Sequence, residues 1–201
     1  MIGQTAQNVF IKVYVIFLMT IYFWIFTVAG LVVLGIGPSL RAVTEMFMDN
    51  QWQYQNYHLK DAWHQFKTNF WQINLHAWLF LGILALLAYN LYLSTQIKEA
   101  WILIIQFVII FAIAMAFSLG IFTLLIRSRY DVSFVNALKL ATAQFFSNFS
   151  RLLLFLIMTI ALIMAAAKWP GIILFLAPGA YIVFANWFSR KWYKQIDNFL
   201  S

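Results

Sequence analysis

The 201-residue sequence predicts an all-α integral membrane protein with five transmembrane helices, and three observations carry that prediction. Hydrophobic residues make up 64% of the chain and charged residues 9%, with a mean hydropathy of +0.83, where soluble globular chains have roughly 45–50% and about 25%. Such a chain is as apolar outside as inside, which a bilayer tolerates and water does not. The charges are also segregated, leaving uncharged runs at five places. Cysteine is absent, which excludes a disulfide-stapled secreted module and thiolate chemistry.

A helix needs about 20 apolar residues to cross roughly 30 Å of hydrocarbon. Residues 13–40 are uncharged over 28 positions, 68–97 over 30 and 100–126 over 27, and each run exceeds the requirement. Residues 152–167 give only 16, about 24 Å of helix, but Arg151 and Lys168 flank them and can snorkel to cover the deficit. Residues 169–189 supply the fifth run, of 21. Trp169-Pro170-Gly171 reads as a turn, so helices four and five form a hairpin. Gly37-Pro38 and Pro178 are expected helix breaks, the latter in mid-helix, because proline has no amide hydrogen to donate. Trp71, Trp78, Trp101, Trp169, Trp187 and Trp192 fall near the expected ends, as an interfacial aromatic belt requires. The first run is too long, and lacks the basic n-region, for a cleaved signal peptide.

Five crossings place the termini on opposite sides and sort the thirteen basic residues into two sets. Ten fall in the first and third linkers and the tail, from Arg41 to Lys194; Lys12, Lys98 and Lys168 fall on the other side. Loops rich in lysine and arginine stay in the cytoplasm. The N-terminus is therefore expected outside and the C-terminus inside the bacterial plasma membrane. The net charge of +7 then serves topology and anionic lipid headgroups, and no nucleic-acid partner is expected.

The two cytoplasmic linkers contain a repeat. Residues 59–72 read LKDAWHQFKTNFWQ and residues 138–151 read LKLATAQFFSNFSR, with seven identities in fourteen positions at an offset of 79. Each copy lies between two apolar runs, so the chain divides into repeat one at 13–94, repeat two at 100–167, the fifth transmembrane helix at 169–189 and a basic cytoplasmic tail at 190–201. Two units with two crossings each share one orientation and form a parallel repeat. Apolar residues at i, i+3, i+4 and i+7 make each linker an amphipathic helix. Gln65, Phe66, Asn69 and Phe70, with their counterparts Gln144, Phe145, Asn148 and Phe149, form the candidate cytoplasmic partner surface. A lipid-resting role fits the same pattern. Asn69 with Gln72 also fits a capping box at the start of the next helix.

Catalytic patterns are missing. None of the five runs carries a charge in its interior, which argues against a pump or ion-coupled transporter. Glu45 and Asp49 share a helical face and Asp61 lies three residues from His64, yet no converging ligand set accompanies them. No nucleophile–base constellation and no phosphate-binding loop is present. The chain is read as a non-enzyme without cofactor or metal. Gln106, Asn90, Thr159 and Asn186 are expected to make interhelical hydrogen bonds, and Ala112, Ala116, Gly120, Ala161 and Ala165 to allow close helix approach, within one chain or in a homo-oligomer.

Ala29-Gly30-Leu31-Val32-Val33-Leu34-Gly35-Ile36-Gly37-Pro38-Ser39, followed by an amphipathic segment and by Phe66-Lys67-Thr68-Asn69-Phe70, resembles the YesL-like family of small bacterial membrane proteins. The resemblance covers residues 24–78 and beyond them mainly the pattern of hydrophobic runs. It implies an accessory role in carbohydrate uptake of the ATP-binding-cassette type, with transporter subunits as partners. No catalytic or ligand residue comes with it. The alternative is a small permease that moves a neutral solute itself, with Gln106 and the bend at Pro178 on its path.

Overall fold

The structure, a computed structural model, describes residues 2–200, so Met1 and Ser201 at the two ends of the expected membrane domain lie outside the described residues. Among the described residues the chain is all helical: α1 (Ile2–Ala29), α2 (Ile36–Asn50), α3 (Leu59–Lys67), α4 (Phe70–Ser94), α5 (Ile102–Arg129), α6 (Phe134–Ser147), α7 (Phe149–Lys168), α8 (Pro170–Phe175) and α9 (Ala177–Leu200). Four helices, α1, α4, α5 and α7, are long and apolar enough to cross a bilayer. This is a multi-pass membrane protein.

The expected fifth crossing is not one continuous apolar helix. Residues 169–189 split into α8 and the first half of α9, with the break at Leu176. Pro178 sits in the first turn of α9, not in mid-helix, where its missing amide hydrogen leaves no helical carbonyl unpaired. The second half of α9 carries Arg190, Lys191, Lys194 and Asp197. α7, by contrast, extends the short fourth run to 20 residues, about 30 Å, by drawing in Phe149, Ser150 and its flanking cations.

The first run is also divided. Within residues 13–40 the chain reverses at 30–35, and α2 folds back along α1 instead of leaving as a linker. Glycine permits the reversal: a β-carbon on Gly35 would lie 2.3 Å from the Thr27 carbonyl oxygen, and one on Gly30 2.4 Å from the Gly35 α-carbon. Between them Leu31 and Val32 take φ of 59° and 63°, a left-handed backbone that branched side chains rarely adopt. Lys12 then lies over the Trp52 ring, 5.6 Å from its centroid, so the end of α2 returns to the early part of α1. α2 begins with the expected Gly37-Pro38 break in its first turn. It packs against α1, α3, α4, α5 and α9 and is the hub of the fold.

Two cores result. Phe26, Phe47, Ala62, Phe66 and their neighbours on α1, α2 and α3 form one; Phe122, Ile126, Ala141 and Phe155 on α5, α6 and α7 form the other. α9 joins both, giving Ile182 to the first and Ala185 and Tyr193 to the second. α4 and α5 pair antiparallel, the Ser94 carbonyl accepting from Gln106 Nε2 at 3.1 Å. Gln106 thus makes the expected interhelical bond. Asn90 and Thr159 bond carbonyls of their own helices, at Leu86 and Phe155, and Asn186 Nδ2 is buried without a partner.

The extra reversal at 30–35 changes where the ends lie. α9 runs against α1 so that Arg190, which donates to Gln51 Oε1 at 3.0 Å, lines one groove with Lys12, Trp52 and Trp187. The start of α1 and the end of α9 share one end of the bundle. Lys12 thus lies beside Arg190 of α9.

Candidate functional site

The two linker motifs occupy matching places in the element order, each an amphipathic helix ended by asparagine before a long apolar helix. Their equivalent residues are also buried alike: Ala62 and Ala141 fully, Phe66 at 3% and Phe145 at 2% exposure. Phe66 stacks on Phe26 at 5.3 Å and meets Phe70 edge-on, while Phe145 lies against Phe111 and Phe146. Of the residues expected on a partner surface, Phe66 and Phe145 point into the protein's own core, because α3 and α6 each pack against a longer helix. Phe70 is half-buried at the same cluster. Gln65 donates to Asp49 Oδ2 at 3.3 Å and Gln144 to Ser189 Oγ at 3.0 Å. Asn69, Asn148 and Phe149 remain exposed, Phe149 at 67%.

The two asparagines differ. Asn148 caps α7, its Oδ1 accepting from the Arg151 amide at 3.1 Å. Asn69 has φ 56° and ψ 29° and makes no side-chain cap bond, since an N-cap takes an extended backbone. The capping box expected with Gln72 does not form.

A charge cluster lies where α2, α4 and α5 meet. Arg41 and Glu45 stand one turn apart on α2 and pair at 2.5 Å, with side chains only 15% and 16% exposed. Arg127, near the end of α5, donates through Nη1 to His76 Nδ1 on α4 at 2.6 Å. That bond fixes the imidazole tautomer, with the ring hydrogen on Nε2. Phe134 lies flat on His76, centroids 3.9 Å apart and planes 9° from parallel. Arg41, His76, Arg127 and Phe134 line a largely apolar cavity of about 60 Å³, with Gly37 and Gly120 on its wall. Glycine is needed at 37 because a β-carbon there would approach that of Ala77 to 2.8 Å. Burial pushes the Glu45 carboxyl above the ordinary carboxylate range, while the Arg41 charge and hydrogen bond pull it back.

Sequence reasoning placed Arg41 and Arg127 among the solvated topology charges and Glu45 beside Asp49 as a weak metal candidate. The usable signal was the four-residue spacing of Arg41 and Glu45, which makes an ion pair on one helix. Nothing in the sequence linked that pair to residues 76 and 127. Two guanidinium groups, one carboxylate and a neutral imidazole can pin three helices together, and a shift of α2 would break the arrangement.

A second ionic contact ties α5 to α9. Arg129 pairs with Asp197 at 3.0 Å, Tyr130 donates to Asp197 Oδ1 at 2.7 Å, and the Arg129 guanidinium lies 4.9 Å from the Tyr193 ring centroid. The Tyr130 hydroxyl, and then the Arg129 charge, hold the Asp197 carboxyl below the usual range.

No curated protein and no solved structure matches the chain. The segment from mid-α1 through α2 and α3 into α4 holds Gly35, Arg41, Glu45 and His76, with Arg127 beyond it. That segment, residues 16–91, matches the family described as "Protein of unknown function, DUF624".

Proposed function

We propose that the protein is a non-enzymatic accessory of a bacterial carbohydrate transporter of the ATP-binding-cassette type, resident in the plasma membrane and bound to transporter subunits within the bilayer. The sequence likeness to the YesL-like family motivates the substrate class. The observation that carries the helper role over the permease is the filled interior: Phe26, Phe47, Phe122 and Phe155, each at most 1% exposed, occupy the space among α1, α2, α5, α7 and α9. A solute path would have to pass through these rings. The contact surface is the outer face of α4 and α5, where Leu79, Leu86, Ile104 and Phe107 are bare. α4 meets α2 at Gly37 and Ala77, and α5 meets α6 and α9 on its opposite face through Phe122, Leu125 and Ile126.

Affinity purification of the chain from its own cells is expected to bring down permease subunits of a carbohydrate transporter, and deletion of the chain to reduce uptake of that sugar. Labelled-sugar uptake by proteoliposomes containing the chain alone would favour the permease and overturn the helper.

The basic end of the bundle is proposed to face the cytoplasm, with both chain ends on that side. The cysteine-free background allows a direct test. Thr95→Cys, in the α4–α5 connection, should react with an impermeant maleimide in intact cells, and Ser133→Cys, before α6, only after lysis. The reverse pattern would invert the topology.

A further inference from the structure

A cavity of about 200 Å³ opens between the α6–α7 junction and α9, at the end where the apolar body of α7 begins. Its floor is Phe122, Leu152 and Phe188; its rim carries Arg151, Lys191 and Trp192, and no carboxylate lines it. Among the described residues neither Arg151 nor Lys191 takes part in an ion pair. Two further observations point to a missing ligand. Gln144, 7% exposed, lines the cavity with its Oε1 buried and without a hydrogen-bond partner, and Trp192 Nε1 is in the same condition. The bond from Gln144 Nε2 to Ser189 Oγ is equally satisfied with the amide reversed, since the serine hydroxyl then donates and an N–H group replaces the unpartnered oxygen.

We infer that this cavity binds the phosphate of an anionic phospholipid. Two local donors are already used: the Ser147 hydroxyl donates to the Gln144 carbonyl and the Arg151 amide to Asn148. Two cationic side chains, an indole N–H, a reversible amide and the side-chain amides of Asn148 and Gln195 remain, a donor set that fits phosphate oxygens. A lipid is favoured over a free ion by the neighbouring groove of about 340 Å³, which shares Arg151, Phe188 and Lys191 and continues over Leu154 and Trp187. That groove can take the first part of an acyl chain beside α7. Basic pockets between membrane helices at the cytoplasmic side are suited to anionic headgroups.

Native mass spectrometry of the full chain in detergent, titrated with phosphatidylglycerol or phosphatidylcholine, tests the site. Phosphatidylglycerol should be retained in preference. Arg151→Gln with Lys191→Gln should weaken its binding about thirtyfold, whereas Lys60→Gln with Lys139→Gln, equal in charge change, should leave it unaltered. Trp192→Phe keeps ring and charge and should weaken binding about fivefold, which serves if the double variant fails to fold. Equal retention of the two lipids, equal loss in both double variants, an unaffected Trp192→Phe, or displacement of the lipid by inorganic phosphate would each overturn the proposal.

Discussion

Replacing Glu45 with alanine is expected to destabilise the protein by about 3–5 kcal/mol, read as a lower unfolding temperature in detergent or nanodiscs. Glu45 supplies the carboxylate hydrogen-bonded to Arg41, and Arg127 lies in the same cavity wall. Without it two guanidinium groups face each other in a site that water reaches poorly, and Arg41 Nη1 is already buried without a partner. The loss comes from the stranded positive charge, not from the pair's own attraction, since burial of ions offsets most of what pairing contributes. Removing both charges with Arg41→Met and Glu45→Leu should therefore recover part of it. An unchanged unfolding temperature in Glu45→Ala would mean that the cluster is hydrated and does not hold α2 in place.

Gly179→Ala is expected to destabilise by about 3 kcal/mol or more, or to prevent folding. Its β-carbon would lie 2.3 Å from the Ile16 carbonyl oxygen and 2.9 Å from Thr20 Oγ, and the Gly179 amide donates to that same hydroxyl at 3.1 Å. Backbone blocks the new methyl group, so α9 must move off α1, and the buried amide then loses its acceptor. Gly82→Ala is the matched control. Nothing lies within 4 Å of a β-carbon at Gly82, and alanine there should be neutral or slightly stabilising, because glycine in a helix costs about 0.5–1 kcal/mol. Comparable losses in the two variants would show that α1 and α9 do not cross at Gly179.

The charge-free runs at 68–97 and 100–126 correspond closely to α4 and α5, since a helix that faces lipid has no reason to hide its composition. The linker motif aligns Ala62 with Ala141 and Phe66 with Phe145, and all four side chains are buried. Their destination was not legible, because an amphipathic face looks the same whether it meets lipid, a partner or the chain's own core. α2 was hidden for a related reason. Hydropathy adds up residues without seeing direction, so a run of 28 uncharged positions reads as one crossing even where Gly30 and Gly35 turn it back. Arg41 and Glu45 looked like exposed linker charges, although each removes the other's need for water. Residues 169–189 divide into two helices for a local reason: a proline starts a helix more readily than it continues one.

The position of α9 sets an order on biogenesis. It is synthesised after every helix it touches, yet Ile182 seals the α1–α2–α3 cluster and Ala185 and Tyr193 seal the α5–α6–α7 cluster. Until it is synthesised, α2 bridges the two half-bundles, through α4 and α5, and each cluster keeps an open seam. A chain truncated before residue 177 is accordingly expected to leave both clusters open, since Ile182, Ala185 and Tyr193 all lie beyond that point.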